Sequence, residues 1–347
     1  MANLNIRTPK FYVDRLNYLL NRGRTVAQSC TIQATSTGNN TVGLKTGSTV
    51  ADLLDMRPLN QATFDTSASS DTRGDTIVTS FDFAFGTYTT NFVAILNHNM
   101  KSADAKFQIA YGSEAQVQNV GLTSGATVVT PSVVLNGSET NTEISPQSDG
   151  HTLVTFTHAD SEHWGLHFKG SDSNNFDATN DLKIGCIIIG EFYSMPHSPD
   201  LSVKRSIEFD KQSIQESLGG QKFSSLSSIG KQYISDQNKS PFHDYTSNGA
   251  RGMYGGRMSY DMKFSYLNAT DIMPDDYSSF NDNSVIDDLW NATHGSHTPF
   301  IFTQDGSASL PHSESDYLFA RFAQDKLQMT QVAPDVFDIT MKIIEEF

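Results

Sequence analysis

The sequence predicts a mainly β protein in which an N-terminal β-sandwich is followed by a second β-rich domain with one or two helices. Three observations support this fold class. Short segments alternate apolar and polar residues along much of the chain, and Gly, Ser, Asn and Asp separate them. Ser and Thr are abundant, with 40 and 32 copies among 347 residues. Hydrophobic residues make up only 37%, yet 22 Phe supply large side chains for a core.

The first 24 residues are predicted to form a basic N-terminal arm. They contain five basic residues and one acid, Asp14, in a chain whose net charge is −15. Asp14 predicts the N-cap of a helix over residues 15–21, and Gly23 predicts its end. The arm either packs on its own domain or docks on a neighbouring subunit. The candidate subunit contacts are its basic and apolar residues Arg7, Lys10, Phe11, Tyr12, Arg15, Leu16, Leu19, Leu20, Arg22 and Arg24.

Residues 25–196 are predicted to form the β-sandwich. The clearest pattern lies at residues 76–85, where alternate positions place Ile77, Phe81 and Phe83 on one face. The predicted strands cover residues 76–85, 91–96, 106–111, 128–135, 152–157, 163–168 and 182–192. Strands at this spacing, with turn residues between them, are typical of a sandwich.

A boundary is predicted near residues 195–199, because Pro196 and Pro199 make a short stiff connector. Of the 32 Thr, 25 precede it. Residues 197–347 are predicted to form a separate β-rich domain, with strands over 201–209, 257–267, 299–303, 317–322, 327–332 and 337–346. Val285, Leu289 and Trp290 recur at helical spacing and predict one helix over residues 284–293.

No motif for catalysis or for a cofactor is present. The sequence lacks a phosphate-binding Gly-rich loop, a His-Glu-x-x-His pair and a Gly-x-Ser-x-Gly elbow. His163 and His167 would share the polar face of one strand about 13 Å apart, too far for one zinc ion, and are predicted to be surface residues. The acidic run from Asp271 to Asp288 lacks the spacing of an EF-hand. We therefore expect no enzyme, no cofactor and no metal.

The composition also excludes several kinds of partner and compartment. An excess of 39 acidic over 24 basic residues would repel nucleic-acid phosphates. No apolar run approaches the length of a transmembrane helix. Two cysteines, Cys30 and Cys186, are too few for a disulfide framework, and Cys186 lies in an apolar strand as an expected buried thiol. This pattern is typical of a chain that folds in a reducing cytoplasm.

One segment resembles a pattern found in bacteriophage tail and baseplate proteins. An apolar run ends in Asn97-His98-Asn99-Met100, and a short turn leads to a second strand at residues 103–109. In that family the strand ends in His-Asn-Leu and belongs to a galactose-binding-like jelly-roll module. Met100 stands where Leu is usual, and Asp104 lies in a turn that often contains Gly. Asn97, His98 and Asn99 are candidates either for sugar ligands or for closing this strand corner through side-chain-to-backbone hydrogen bonds, the reading we favour.

Further segments resemble the same family in the expected order. Residues 184–193 with Pro196 resemble the exit strand of the jelly-roll module. Residues 215–223 and 258–267 resemble the Gly-Gly turn and the long aromatic strand of distal-tail and minor-tail proteins. Residues 289–290, 299–302 and 337–346 also follow in the family's order. Together these segments span about two thirds of the chain.

The resemblance implies a virion structural protein without catalysis, assembled in the host cytoplasm. Its copies are expected to form a homo-oligomeric ring, a hexamer, at the distal tail or baseplate, between tail-tube and tail-tip proteins. Two alternatives stay open. One is a virion protein that binds a host-surface glycan through the sandwich. The other is an enzyme acting on polysaccharide, which would require a cleft with two facing carboxylates.

Overall fold

The computed structural model is mainly β, as predicted, with a β-sandwich in its first half. It describes residues 7–35, 42–67, 76–83, 88–119, 122, 125–170, 176–208, 212–226, 257–274, 284–306 and 317–346. Within these residues, antiparallel strands form an eleven-stranded sheet, a seven-stranded sheet and two two-stranded sheets. We call the two large ones sheet A and sheet B. In the described part of the chain, no helix is long and apolar enough to cross a membrane.

Sheet A runs through both halves of the chain. The first half contributes β5 (Tyr88–His98), β8 (Pro131–Leu135), β11 (Gly150–Ser161) and β14 (Cys186–Ser194). The second half contributes β15 (Lys204–Glu208), β18 (Arg257–Asn268), β19 (Phe300–Thr303), β20 (Tyr317–Phe322), β21 (Met329–Ala333) and β22 (Val336–Glu345). The two sets are joined by β1 (Lys10–Asp14), which pairs with β14 on one side and β19 on the other.

The two halves, predicted as separate domains, therefore share one sheet in the described part of the chain. The physical reason is that the N-terminal strand offers backbone hydrogen-bonding groups along both of its edges, so β14 pairs with all five of its residues and β19 pairs with Lys10, Phe11 and Tyr12. The domain boundaries that the sequence predicts after residues 24 and 196 stay a prediction.

Sheet B forms the second layer of the sandwich. Its strands are β2 (Cys30–Thr35), β4 (Thr76–Asp82), β6 (Ala105–Gly112), β7 (Thr127–Val128), β9 (Gly137–Thr140), β10 (Glu143–Pro146) and β12 (His163–Gly170). Phe81, Trp164 and Phe168 of sheet B lie in one core cluster with Val93 and Ile189 of sheet A. Alternating strand residues thus bury one face of each sheet against the other.

The second half covers the same face of sheet A with helices instead of strands. These are α4 (Ala269–Ile272) and a π-helix (Val285–Asn291), which is the helix predicted over residues 284–293. Val285 and Leu289 pack in a cluster with Met262 and Phe264 of β18 and Met341 of β22. The hairpin of β16 (Gln212–Glu216) and β17 (Lys222–Leu226) forms a two-stranded sheet of its own.

The N-terminal segment folds locally as predicted but does not form an arm of exposed apolar residues. Helix α1 (Arg15–Asn21) begins at Asp14, whose carboxylate accepts hydrogen bonds from the backbone N–H groups of Leu16 and Asn17. Leu16 and Leu19 lie in the sandwich core, and Phe11 lies in the core of the second half. The segment therefore packs on its own chain.

The remaining elements are short connections. They are α2 (Val26–Ser29), a 3-10 turn (Val50–Leu53), β3 (Ala62–Thr63), α3 (Glu114–Val117) and β13 (Lys183–Ile184). The strand predicted over residues 182–192 is divided at Gly185 into β13, which pairs with β3, and β14, which pairs with β5. Both cysteines are buried free thiols, as expected for Cys186. Of the acidic run, Asp275, Asp276 and Asp282 lie outside the described residues.

The prediction of two surface histidines on β12 is wrong for His167. Helix α3 covers that face of the strand, so His167 is only 2% exposed, and burial lowers its pKa to about 4. Gly165 makes the approach possible, because a Cβ at this position would lie 3.0 Å from the Val117 carbonyl oxygen. His163, at the beginning of the strand, is partly exposed.

Candidate functional site

A polar cleft of about 730 Å³ lies where the sandwich meets the second half of the chain. Three segments form its walls: helix α1, the loop that follows the 3-10 turn, and residues of the second half around β20. The cleft is lined by Asn17, Asn21, Asp55, Met56, Arg57, Leu59, Asn60, His297, Thr298, Pro299, Arg321 and Glu346. Ligand sites commonly have volumes of about 300–1,000 Å³, so this cleft has room for a small molecule.

The wall formed by α1 is fixed by hydrogen bonds from its amide side chains. The Asn17 amide donates to the Asp14 carboxylate at 2.6 Å and to the Leu54 carbonyl at 3.2 Å. The Asn21 amide donates to the buried Thr298 hydroxyl at 3.0 Å. This last bond crosses the cleft floor and connects the helix to the second half, so the cleft depends on both halves.

The loop wall holds one carboxyl group in a defined orientation. Asp55 accepts hydrogen bonds from the backbone N–H of Arg57 at 2.7 Å and from the Asn60 amide at 2.8 Å. Burial raises the pKa of the Asp55 carboxyl, and the bonds from Asn60 and Arg57 oppose that rise. Met56 has a left-handed backbone (φ 55°) that turns the chain sharply between them. The Arg57 and Leu59 side chains are left exposed at the rim.

The wall from the second half is built around Arg321 of β20. Its guanidinium donates to the Ser296 and His297 carbonyls at 3.1 and 2.6 Å and pairs with Glu346 at 3.2 Å. Since the carbonyls belong to the loop before β19 and Glu346 follows β22, one arginine fixes two chain segments. The cleft therefore presents amide, guanidinium and carboxylate groups that are already oriented, beside small apolar patches at Met56, Leu59 and Pro299.

Among the described lining residues, the two carboxylates, Asp55 and Glu346, come from different walls of the cleft. Each of them already accepts hydrogen bonds, Asp55 from Asn60 and Glu346 from Arg321. This arrangement suits the recognition of hydroxyl and amine groups by fixed acceptors and donors.

The predicted strand corner lies beneath the cleft loop. Asn97, with a left-handed backbone (φ 49°), donates from its amide to the Pro58 carbonyl at 2.7 Å. His98 accepts from the Met100 backbone N–H at 3.2 Å through Nδ1, so its Nε2 carries the proton that faces Thr152 at 2.9 Å. Both side chains are buried.

Asn99 completes this corner. Its amide donates to the Asp181 carbonyl at 2.7 Å, and its side-chain oxygen accepts from the Lys183 backbone N–H at 2.6 Å. These are the contacts that a role in closing the strand corner requires. Asn97, His98 and Asn99 do not line the cleft, and Asn97 instead positions its loop through Pro58.

The ten candidate subunit contacts divide into two groups. Phe11, Tyr12, Arg15, Leu16 and Leu19 are at most 3% exposed and lie inside this chain. Arg15 pairs with Asp288 at 3.0 Å and with Glu191 at 3.4 Å. Arg7, Lys10, Leu20, Arg22 and Arg24 are partly or fully exposed. A subunit contact stays a prediction for this second group, whereas the first group has its apolar partners within the chain.

No local pattern in the sequence indicates the cleft, because its lining residues come from two distant parts of the chain, residues 17–60 and 297–346. Each segment is short, and amide and charged residues in loops are ordinary. The usable signals are Gly185 and Gly190 inside an apolar strand. Such glycines mark the close approach of another backbone, here Pro58 beside Gly185 and Val13 beside Gly190.

Comparison with known proteins gives structural neighbours only. No protein-family model and no curated protein matches the sequence. A solved chitosan-binding module from a chitosanase/glucanase of Paenibacillus sp. IK-5 aligns with 48% of this chain and 99% of its own, at 14% identity and a TM-score of 0.31. The module CBM32-1 of a family 31 glycoside hydrolase from Clostridium perfringens covers 48% of this chain and 98% of its own, at 10% identity and a TM-score of 0.31.

A structure of the Streptococcus pneumoniae beta-galactosidase BgaA covers 47% of this chain and 96% of its own, at 11% identity and a TM-score of 0.30. The neighbours named here therefore include carbohydrate-binding modules. At these scores the likeness carries no argument about what this chain binds. No neighbour named here is a phage tail protein. These comparisons therefore add no support for the tail-tip role beyond the sequence resemblance.

Proposed function

We propose that this chain is a non-catalytic binding protein that takes a glycan in the cleft between its two halves. The observation that carries the proposal is the composition of the cleft. Amide, guanidinium and carboxylate groups held by the protein's own hydrogen bonds line a space of about 730 Å³. Groups fixed before binding lose little conformational entropy when a ligand arrives, which favours affinity for a ligand with many hydroxyl groups.

The rim supplies the apolar contact that a sugar ring also needs. Leu59 is 44% exposed beside Arg57, and Pro299 lies on the other wall. The C–H face of a pyranose ring can pack on Leu59 while its hydroxyl groups bond to Arg57 and to the amides. An apolar ligand is disfavoured, because it would desolvate these polar groups without replacing their hydrogen bonds.

The test is calorimetric titration of the full chain with a panel of neutral, amino and acidic oligosaccharides. We expect one class to bind, and both Arg57→Ala and Leu59→Ser to weaken it at least about tenfold, equal to about 1.4 kcal/mol. Lys101→Ala and Leu201→Ser are the matched controls, since both side chains are exposed away from the cleft. If no class binds, or if the controls weaken binding equally, the proposal fails. The same mixtures should release no shorter sugars.

A second candidate function is a subunit of a homo-oligomeric virion assembly, as the tail-protein resemblance implies. The observation that favours it is a set of exposed apolar side chains near the edge of sheet A. Ile207 on β15, with Ile214, Leu218 and Phe223 on the β16–β17 hairpin, are all more than half exposed. Apolar side chains exposed on an edge strand and on a hairpin are typical of surfaces that meet another protein.

Native mass spectrometry and electron micrographs of the full chain test this second function. We expect a ring-sized species that Ile214→Ser with Phe223→Ser converts to monomer. Val332→Ser, which changes an exposed residue on β21, is the control. A monomer at all concentrations contradicts the assembly and leaves the glycan site unaffected, so the two functions are separable.

A further inference from the structure

A second cluster of chemically active side chains lies at the edge of the sandwich, away from the cleft. Asp82 at the end of β4, His163 at the start of β12 and the adjacent Glu162 place one potential ligand atom each within 4.8 Å of the others. The Nδ1 atom of His163 is 3.9 Å from an oxygen of Asp82. Two carboxylates and one imidazole form a mixed oxygen and nitrogen donor set.

The backbone holds all three residues in place. Asp82 and His163 are directly paired in the antiparallel ladder between β4 and β12, so their side chains emerge next to each other. The carbonyl of Glu162 accepts a hydrogen bond from the backbone N–H of Phe83 at 2.9 Å, which closes the ladder beside them. The donor set is therefore carried by two hydrogen-bonded strands and not by a loose loop.

A separate cavity of about 190 Å³ opens on the same cluster. Asp82 and His163 line it together with polar side chains that include Ser80, Glu114 and Gln118. A metal ion held by three side chains would have at least one coordination position left for water or a ligand. Three protein ligands and one open coordination position are typical of catalytic, not structural, zinc sites.

One cation already lies close to the cluster. Arg24 contacts one carboxylate oxygen of Asp82 at 3.5 Å and donates to the carbonyls of Asp82 and Gln28, both at 2.6 Å. The other carboxylate oxygen of Asp82 is the one nearest His163. The guanidinium thus orients the Asp82 carboxylate toward His163, and its charge limits the affinity for a metal ion.

We propose that Asp82, Glu162 and His163 bind one divalent transition-metal ion, with Zn²⁺ as the best match. Zinc bonds to nitrogen and oxygen at about 2.0–2.2 Å, so its tetrahedral ligand atoms lie about 3.4 Å apart. The gap of 3.9 Å between Asp82 and His163 must close by about half an ångström, which rotation of two partly exposed side chains allows. Imidazole in the donor set favours Zn²⁺ over Ca²⁺, which prefers oxygen donors alone.

Along its own strand, His163 has only His167 as a possible co-ligand, too far away for one zinc ion, so the sequence predicted no metal site. Asp82, the partner of His163, lies on the neighbouring strand and is 81 residues away in the sequence. The spacing of residues along one strand does not reveal such a pair. This site is independent of the glycan cleft, because none of the described residues lines both cavities.

The test uses the full chain after dialysis against a chelator and titration with ZnCl₂ or CaCl₂. We expect one Zn²⁺ per chain by calorimetry and elemental analysis, no Ca²⁺ uptake at the same concentrations, and a rise in melting temperature with Zn²⁺. His163→Ala and Glu162→Gln should each weaken zinc binding at least tenfold. His158→Ala removes an exposed histidine of β11 and is the matched control.

The outcomes separate cleanly. The proposal is wrong if zinc still binds to both the His163→Ala and the Glu162→Gln variants. It is also wrong if the wild-type chain takes up no zinc. If His158→Ala weakens zinc binding as much as His163→Ala does, the metal binds to surface histidines and the proposed site is wrong. If His163→Ala unfolds the chain, the exposed Glu162 variant decides alone, because its side chain makes no contribution to the core.

Discussion

The two halves of this chain cover the same face of sheet A with different second layers. In the first half, sheet B covers one face of sheet A and forms the core around Trp164. In the second half, the π-helix and α4 cover the same face and form the core around Phe264. The difference shows that the large sheet belongs to neither half. It is completed by β1, whose side chains Phe11 and Val13 enter one core while Leu16 and Leu19, just beyond it, enter the other.

The largest expected effect comes from removing the aromatic ring that anchors β1 in the second half. Phe11 is fully buried against Phe300 and Phe302, with ring centroids 5.6 and 5.3 Å away. Phe11→Ala should lower the free energy of unfolding by about 3–5 kcal/mol. Leu16→Ala, which opens the other core, should cost about 2–5 kcal/mol.

The two tryptophans make this comparison measurable, because Trp164 reports on the first half and Trp290 on the second. Urea unfolding followed in single-tryptophan variants should show one shared transition that both substitutions move. If Phe11→Ala shifts the Trp290 signal and leaves the Trp164 signal unchanged, the halves unfold separately and the shared sheet does not couple them.

The next effect concerns a buried ion cluster at the border between the two cores. Arg15, Glu191 and Asp288 come from α1, β14 and the π-helix. Burial alone would lower the pKa of the Arg15 guanidinium, but Asp288 and Glu191 raise it above its usual value. Arg15→Met should cost about 3 kcal/mol, because the carboxylates stay buried without their cation.

Adding Asp288→Leu to Arg15→Met should restore most of that loss, since burying an apolar pair costs less than burying one charge. Lys342→Met is the control. Its contact to Asp261 is long, at 4.0 Å, and exposed, so it should change stability by less than about 1 kcal/mol. Equal losses for Arg15→Met and Lys342→Met would show that the buried cluster has no special role in joining the halves.

Local signals in the sequence predicted the local elements well. Helix α1 has its cap at Asp14 and its end near Gly23 within ten residues, and β18 alternates buried and less buried residues between Arg257 and Phe264. In both cases the residues that determine the element lie inside it or next to it. The chemical type and the spacing of these residues are then sufficient to predict the element.

The connection between the halves was not predictable in this way. Strand β1 has only five residues, and its partners Ser194 and Thr303 lie far along the chain. The four arginines and one lysine of residues 7–24 look like a solvent-exposed arm, yet Arg15 is buried because Asp288 and Glu191 neutralise it. The cleft and the Asp82–His163 pair share this property, since both depend on which distant strands become neighbours.

A smaller effect tests the close approach that lets β1 reach β14. A Cβ atom at Gly190 would lie 2.2 Å from the Val13 carbonyl oxygen and 3.0 Å from the Arg15 backbone nitrogen. Gly190→Ala should therefore lower the free energy of unfolding by about 2–3 kcal/mol, the usual range for overpacking. Gly43→Ala is the control, because no atom lies within 4 Å of its added Cβ. Equal urea midpoints for the two variants would contradict the close approach.

The smallest effect is a pH dependence carried by Asp14, the residue at which β1 ends and α1 begins. Burial raises the pKa of its carboxyl to about 6 from 3.8, although hydrogen bonds from Asn17 and Leu16 oppose the rise. The folded chain thus keeps a proton at pH values where the unfolded chain has lost it. The stabilisation is present in full below pH 3.8 and is lost as pH rises through about 6. Asp14→Asn keeps an N-cap oxygen and removes the titration. Measured by urea unfolding from pH 4.5 to 7, the stability of the wild type relative to Asp14→Asn should fall by about 2 kcal/mol. A constant difference would place the Asp14 carboxylate in contact with water, and a rising difference would mean that its hydrogen bonds outweigh its burial.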